Sequence, residues 1–169
     1  MPHGYEVAVE WTGNRGTGTS AYRAYGRTNV VRAAGKPELP GSADKPFFGD
    51  ADRWNPEELV IAALSQCHLL SYLHVAVRNG VVVTAYTDAA TGALAVEADG
   101  GGRLTEVDLH PVVTLEDESQ RTLADSLHEE AHRLCFIANS VNFPVRHHPV
   151  NGAYPSEVTL GNKPKRLVY

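Results

Sequence analysis

Residues 55–80, "NPEELVIAALSQCHLLSYLHVAVRNG", constrain the fold more than any other stretch. Asn55 suits a helix N-cap, Pro56 the first helical position, and Glu57 and Glu58 the positive end of the helix dipole. The helix is predicted to run to about Arg78, closed by Asn79-Gly80. Leu59, Val60, Ala63, Leu64, Cys67, Leu70, Leu73 and Val77 cover much of its circumference, so the pattern predicts a central, buried helix. The rest of the chain must then supply what surrounds it.

What surrounds it reads mostly as strands. "YEVAVEW" alternates, "GNRGTG" is a turn, and "SAYRAYGRTNVVR" follows as a second strand. The proline- and glycine-rich stretch "AAGKPELPGSADKPFFGDADRW" reads as one long loop. After the helix, "VVVTAYTDAATGALAVEADGGGRLTEVDLHPVVTLE" reads as three strands with turns at "DAATG" and "DGGG". A second helix is predicted from about Glu118 to Ile137, with Leu123, Leu127, Ala131, Leu134 and Cys135 at helical spacing. "SEVTLGN" then supplies a last strand. Strands, helix, β-meander, helix and tail define an α+β fold, not an alternating parallel one. With 169 residues, a single domain over 1–169 is expected.

A net charge of −5 with scattered basic residues argues against nucleic acid as the main partner. No apolar run is read as long enough to span a bilayer, and "MPHGYEVAVEW" lacks the layout of a signal peptide. These features predict a cytoplasmic protein with no membrane partner. In that reducing compartment Cys67 and Cys135 are free buried thiols or a transient catalytic pair, not a permanent staple.

Several motifs compete for the chemistry. "HEEAH", residues 128–132, matches a zinc signature: His128 and His132 share a helical face, Glu129 is a candidate base, and Cys135 lies further along. The pattern is short and nothing downstream completes it, so solvent-facing helix polarity is the better reading and no metal is expected. His147 and His148 are adjacent and point apart, which suits surface residues. "GNRGTG" lacks the lysine and serine of a phosphate loop, and no G-x-S-x-G elbow occurs. Taken singly, each cysteine on an apolar helix face reads as inert packing. A mid-helix thiol becomes reactive only beside a cation, preferably a guanidinium, and spacing alone does not identify one.

"NPEELVIAALSQCHLL" resembles the signature of the OsmC/Ohr family of thiol-dependent hydroperoxide reductases, with the glutamate at Glu57 and the reactive cysteine at Cys67. "HEEAHRLCFIAN" is similar to the family's second cysteine-bearing helix, here with Cys135, although "CFIAN" departs from the "C-P" common there. "VEWTGNRGTGTS" resembles the family's first hairpin and puts the active-site arginine at Arg15, with Arg23 and Arg27 on the next strand as alternatives. The resemblance covers nearly the whole chain and points to an OsmC-like branch.

It implies the OsmC-like fold, antiparallel sheets with two main helices, the central one buried, in an intertwined homodimer. It also implies a cysteine-based peroxidase for organic hydroperoxides or hydrogen peroxide. Cys67 is then the nucleophile, Cys135 the resolving thiol, Arg15 the cation on the thiolate and Glu57 its orienting partner. No cofactor or metal is required; an external dithiol, lipoyl in some relatives, is the reductant. A thiol-based peroxide sensor or small-molecule binding protein on the same fold is the alternative. Glu57 and Cys67 stand about 15 Å and about 280° apart on one straight helix. A site using both is therefore expected to be shared between two chains.

Overall fold

A computed structural model describes residues 3–150. The predicted strand "SEVTLGN" and the basic C-terminal stretch lie outside them. The chain divides into two compact units, residues 1–60 and 61–169.

The first unit is built on an antiparallel sheet of β1 (Ala8–Trp11), β2 (Asn29–Arg32) and β3 (Leu39–Gly41), in that order. The stretch read as one strand from Ser20 is loop until Asn29, and the proline-rich "loop" contains β3 and a 3-10 turn at Lys45–Phe47. Between β1 and β2 the chain folds back on itself. Gly26 N–H donates to the Gly13 carbonyl at 2.8 Å and Trp11 Nε1–H to the Gly26 carbonyl at 2.9 Å. A Cβ on Gly13 would collide with the Gly26 carbonyl, so this crossing requires glycine.

The long helix, α1 (Pro56–Arg78), forms as its punctuation predicts. Asn55 Oδ1 accepts from the Glu58 N–H at 2.8 Å and Glu58 reaches back toward the Asn55 N–H, a reciprocal cap. Gly80, at φ 69°, ends it. By length and composition α1 could cross a bilayer, its best window having mean hydropathy 1.5. The expectation that no run reaches that length is thus corrected: Ser65, Gln66 and His68 interrupt the apolar run without lowering its mean enough. The expected all-round burial also fails. Leu64, His68, Tyr72, Val75 and Ala76 are buried, whereas Leu70 and Val77 are 60% and 72% exposed.

In the second unit the meander has four strands instead of three: β4 (Val83–Asp88), β5 (Thr91–Val96), β6 (Gly102–Leu109) and β7 (Pro111–Leu115). Within "VDLHPVVTL" the chain breaks at His110, just before Pro111, where Asp88 Oδ1 accepts the His110 backbone N–H at 2.7 Å. β4 pairs with β7 and β5 with β6, both antiparallel. A last strand, β8 (Val145–His147), pairs parallel to β6 where only a connecting stretch was expected. The second helix, α2 (Arg121–Leu134), is shorter than predicted. A 3-10 turn at Glu118–Gln120 precedes it, started by Asp117 capping the Ser119 N–H, and extended backbone ends it at Cys135. Tyr72, Val75 and Ala76 of α1, Ala124, Leu127 and Ala131 of α2, and Val113 and Leu115 of β7 form the core.

Candidate active site

The two cysteines meet. Cys67 lies half-buried in the middle of α1, Cys135 is 1% exposed as the residue that caps α2, and both are free thiols. Their side chains are near enough for the Cys67 sulfur to perturb the Cys135 thiol. The break in the helix at Cys135 lets the Ala138 N–H donate to its Sγ at 3.5 Å. Burial pushes the Cys135 thiol up to about 11; the Ala138 N–H opposes the rise and the Cys67 sulfur adds to it. Cys135 is therefore a protonated thiol at neutral pH, a proton donor facing the more accessible Cys67 sulfur.

Arg15 and Glu57 both lie in the first unit, and the fold does not pair them within it. Asn14 Oδ1 accepts from the Gly16 and Gly18 N–H groups at 2.9 and 3.1 Å, which shapes the loop that presents Arg15. Arg15 is exposed and makes no hydrogen bond or ion pair among the described residues. Its two rivals are occupied. Arg27 donates to the Tyr22 and Tyr25 carbonyls, both at 2.7 Å, and lies over three aromatic rings, while Arg23 sits 4.7 Å above Phe48. Glu57, in the first turn of α1, is half-buried and likewise without an ion pair among the described residues.

One reading is overturned. His128 of "HEEAH" does not face solvent: it is 1% exposed, and its Nδ1 shares a hydrogen bond with Nε2 of His68, itself fully buried, at 3.0 Å. Tyr72 stacks on the His128 ring at 4.1 Å. His147, expected at the surface, is also largely buried, with its ring centre 5.5 Å from those of both His68 and His132. His148 does face outward, 3.0 Å from Asp108. Burial holds His68 down to about 4 and His128 down to about 3, so both are neutral at pH 7. His68 escapes sequence reasoning because one histidine in an apolar helix carries no periodic signal.

Fold and thiol pair together define an α+β thiol protein with two main helices. The model of the OsmC-like protein family matches residues 49–148, and the chain belongs to that family. At the family level this carries a redox, peroxide-handling role. The chain is similar to an OsmC-like protein of unknown function from Vibrio cholerae, at 29% identity and a TM-score of 0.75, covering 88% of this chain and 100% of that one. A provisionally assigned organic hydroperoxide resistance protein of Vibrio cholerae, with captopril bound in one of its active sites, is also 29% identical. That match has a TM-score of 0.64 and covers 90% of this chain and 96% of the other. At 24% identity, an organic hydroperoxide resistance protein from Elizabethkingia anophelis shares the fold, with a TM-score of 0.66 over 90% and 100% of the two chains. None of the curated proteins matches the sequence.

Proposed function

We propose that the protein is a cysteine-based peroxidase that reduces organic hydroperoxides with Cys67 as nucleophile and Cys135 as resolving thiol. The proximity of a half-buried thiol to a buried, protonated one carries this reading. As a thiolate, Cys67 attacks the distal peroxide oxygen. The O–O bond breaks, the alkoxide leaves and takes a proton as alcohol, and the sulfur is left as sulfenic acid. Cys135 then attacks that sulfur, its proton leaves with the hydroxyl as water, and a disulfide remains. An external dithiol, lipoyl or another, takes over the disulfide and restores both thiols. None of these steps uses a metal or an organic cofactor, and the cycle suits a reducing, cytoplasmic compartment.

The exposed, unpaired guanidinium of Arg15 supports its role as the cation that holds the thiolate and polarises the peroxide. Glu57 would orient it by a bidentate pair. In this reading the pair forms in a homodimer, Glu57 of one chain serving Cys67 of the other. The exposed apolar side chains of Leu70, Val77 and Val82 are a surface a second copy would cover. Mixing Cys67→Ser with Glu57→Ala subunits tests the shared site: heterodimers should regain up to about half of wild-type activity, from one intact site. Heterodimers that form but stay inactive would place Glu57 in its own chain's site.

The function itself is tested by counting thiols before and after one equivalent of several hydroperoxides, with dithiol-dependent turnover measured alongside. Two thiols lost and rapid turnover are expected. Oxidation with no turnover would instead mark a peroxide sensor.

A further inference from the structure

One stretch of the first unit is unlike the rest of the chain in charge. Residues 11–37 hold five of its fifteen Lys and Arg and none of its twenty Asp and Glu. Of those five, Arg32 is paired with Glu10 and Glu38. Arg23 and Arg27 form no ion pair among the described residues, yet both guanidiniums lie against the ring of Phe48, at 4.7 and 5.5 Å from its centre. Two positive charges thus share one aromatic ring with no carboxylate paired to either.

The backbone is strained at that same ring. Among the described residues Phe48 alone, glycines aside, has a positive φ, at 60°. That conformation is unfavourable for a bulky side chain and easy for glycine. Glycine would close the turn at Lys45–Phe47 as well, because the cap there is the backbone N–H of residue 48 donating to the Lys45 carbonyl at 3.1 Å. The strain is therefore spent on placing the ring. It stands edge-to-face with Tyr22, centres 5.4 Å apart and planes at 88°. Phe48 remains 44% exposed and Tyr22 60%. Arg27 fixes this arrangement, donating to the Tyr22 and Tyr25 carbonyls while lying over both their rings, at 4.6 and 4.1 Å. Arg23 makes no hydrogen bond among the described residues, so its fork of donors is open.

We propose that Tyr22, Arg23 and Phe48 form a binding site for a flat aromatic anion of the aryl carboxylate class. A guanidinium offers a carboxylate two parallel N–H bonds. An exposed edge-to-face ring pair offers a third ring both a face and an edge. An inorganic anion would use the guanidinium and leave the rings idle, and a neutral arene would do the reverse. Arg15 Nη2 lies 3.6 Å from the point a Cβ on Gly26 would occupy, so this site and the proposed peroxide cation share one loop. The site is built wholly within the first unit and does not rest on the peroxidase reading, because its test reads binding, not turnover.

The experiment titrates the full chain with naphthoate by calorimetry and repeats the titration with neutral naphthamide and with cyclohexanecarboxylate. Expected are one naphthoate per chain and affinities at least about 10-fold weaker for each of the other two, one lacking the charge and one the flat ring. Arg23→Gln should bring naphthoate down to the affinity of the amide and leave the amide unchanged. Phe48→Gly separates binding from packing. It should leave the unfolding midpoint unchanged or raised, since glycine is at ease at this φ, and weaken naphthoate by about 10-fold or more. Equal affinity for naphthoate and its amide, or no saturable binding of either, would overturn the proposal. So would naphthoate binding that survives both Arg23→Gln and Phe48→Gly, or a Phe48→Gly chain that loses stability and keeps its affinity, the ring then serving the fold alone.

Discussion

Neighbouring residues of α1, Cys67 and His68, make pairs with α2 of opposite character. Cys67, half-buried, lies beside the buried Cys135; His68 meets His128 where both side chains are buried. One residue of helix turns a side chain by about 100°, enough to move from a half-buried rim to the core. The comparison shows how one helix serves two ends. The thiol pair sets a half-buried member beside a buried, protonated partner, while the imidazole pair is fully buried and its two rings hydrogen-bond to each other.

The largest effect expected is on the thiol side. Cys67→Ser should abolish dithiol-dependent peroxide turnover while leaving the unfolding midpoint close to wild type, because serine is nearly isosteric at a half-buried position. Undiminished turnover would sink the peroxidase reading. On the imidazole side, His128→Ala removes a ring packed against Tyr72 and leaves His68 without its partner. A cost of about 3–4 kcal/mol is expected in urea unfolding; a loss below about 1 kcal/mol would mean that the pair is not part of the core's stability.

Acid should separate the two pairs more gently. Both buried histidines titrate lower in the fold than in the unfolded chain, so the stability they contribute is fully present above pH 6.5. It falls as pH drops from 6.5 toward about 4 for His68 and about 3 for His128, when the unfolded chain binds protons the fold refuses. At about pH 4 these shifts correspond to a loss of up to about 3 kcal/mol for each of the two histidines. Stability that stays flat between about pH 7 and 4 would contradict the buried neutral pair. The smallest effect tests the helix both pairs stand on: Asn55→Ala should cost about 1 kcal/mol through the lost cap.

Much of this is legible in the amino-acid order. The cap at Asn55, the stop at Gly80, the α+β class and the family all follow from local chemistry or motif spacing. Other features depend on long-range contact. Leu70 and Val77 are as apolar as Leu64, and only packing decides which of them is covered. β6 and β7 part at His110, where Pro111 follows and Asp88 of β4 accepts the His110 N–H; the proline is visible in the sequence, the distant acceptor is not. β8 is too short to alternate visibly. His128 defies its pattern for a physical reason: polarity at helical spacing predicts solvent, but a neutral imidazole can be buried when another imidazole meets it. Arg15 is readable in the sequence only as one of three arginines, and the aromatic and carbonyl partners of Arg23 and Arg27 are set by loop packing that no motif announces.

The central claim is that Cys67 and Cys135 are one redox pair within a chain. Its most direct test treats the reduced protein with one equivalent of an organic hydroperoxide and maps the product by peptide mass spectrometry. The account predicts an intramolecular Cys67–Cys135 disulfide in the wild type. In Cys135→Ser it predicts sulfenic or over-oxidised Cys67, with the peptide that carries the substitution unmodified. Oxidation that begins at Cys135, or a disulfide that forms only between chains, would contradict it.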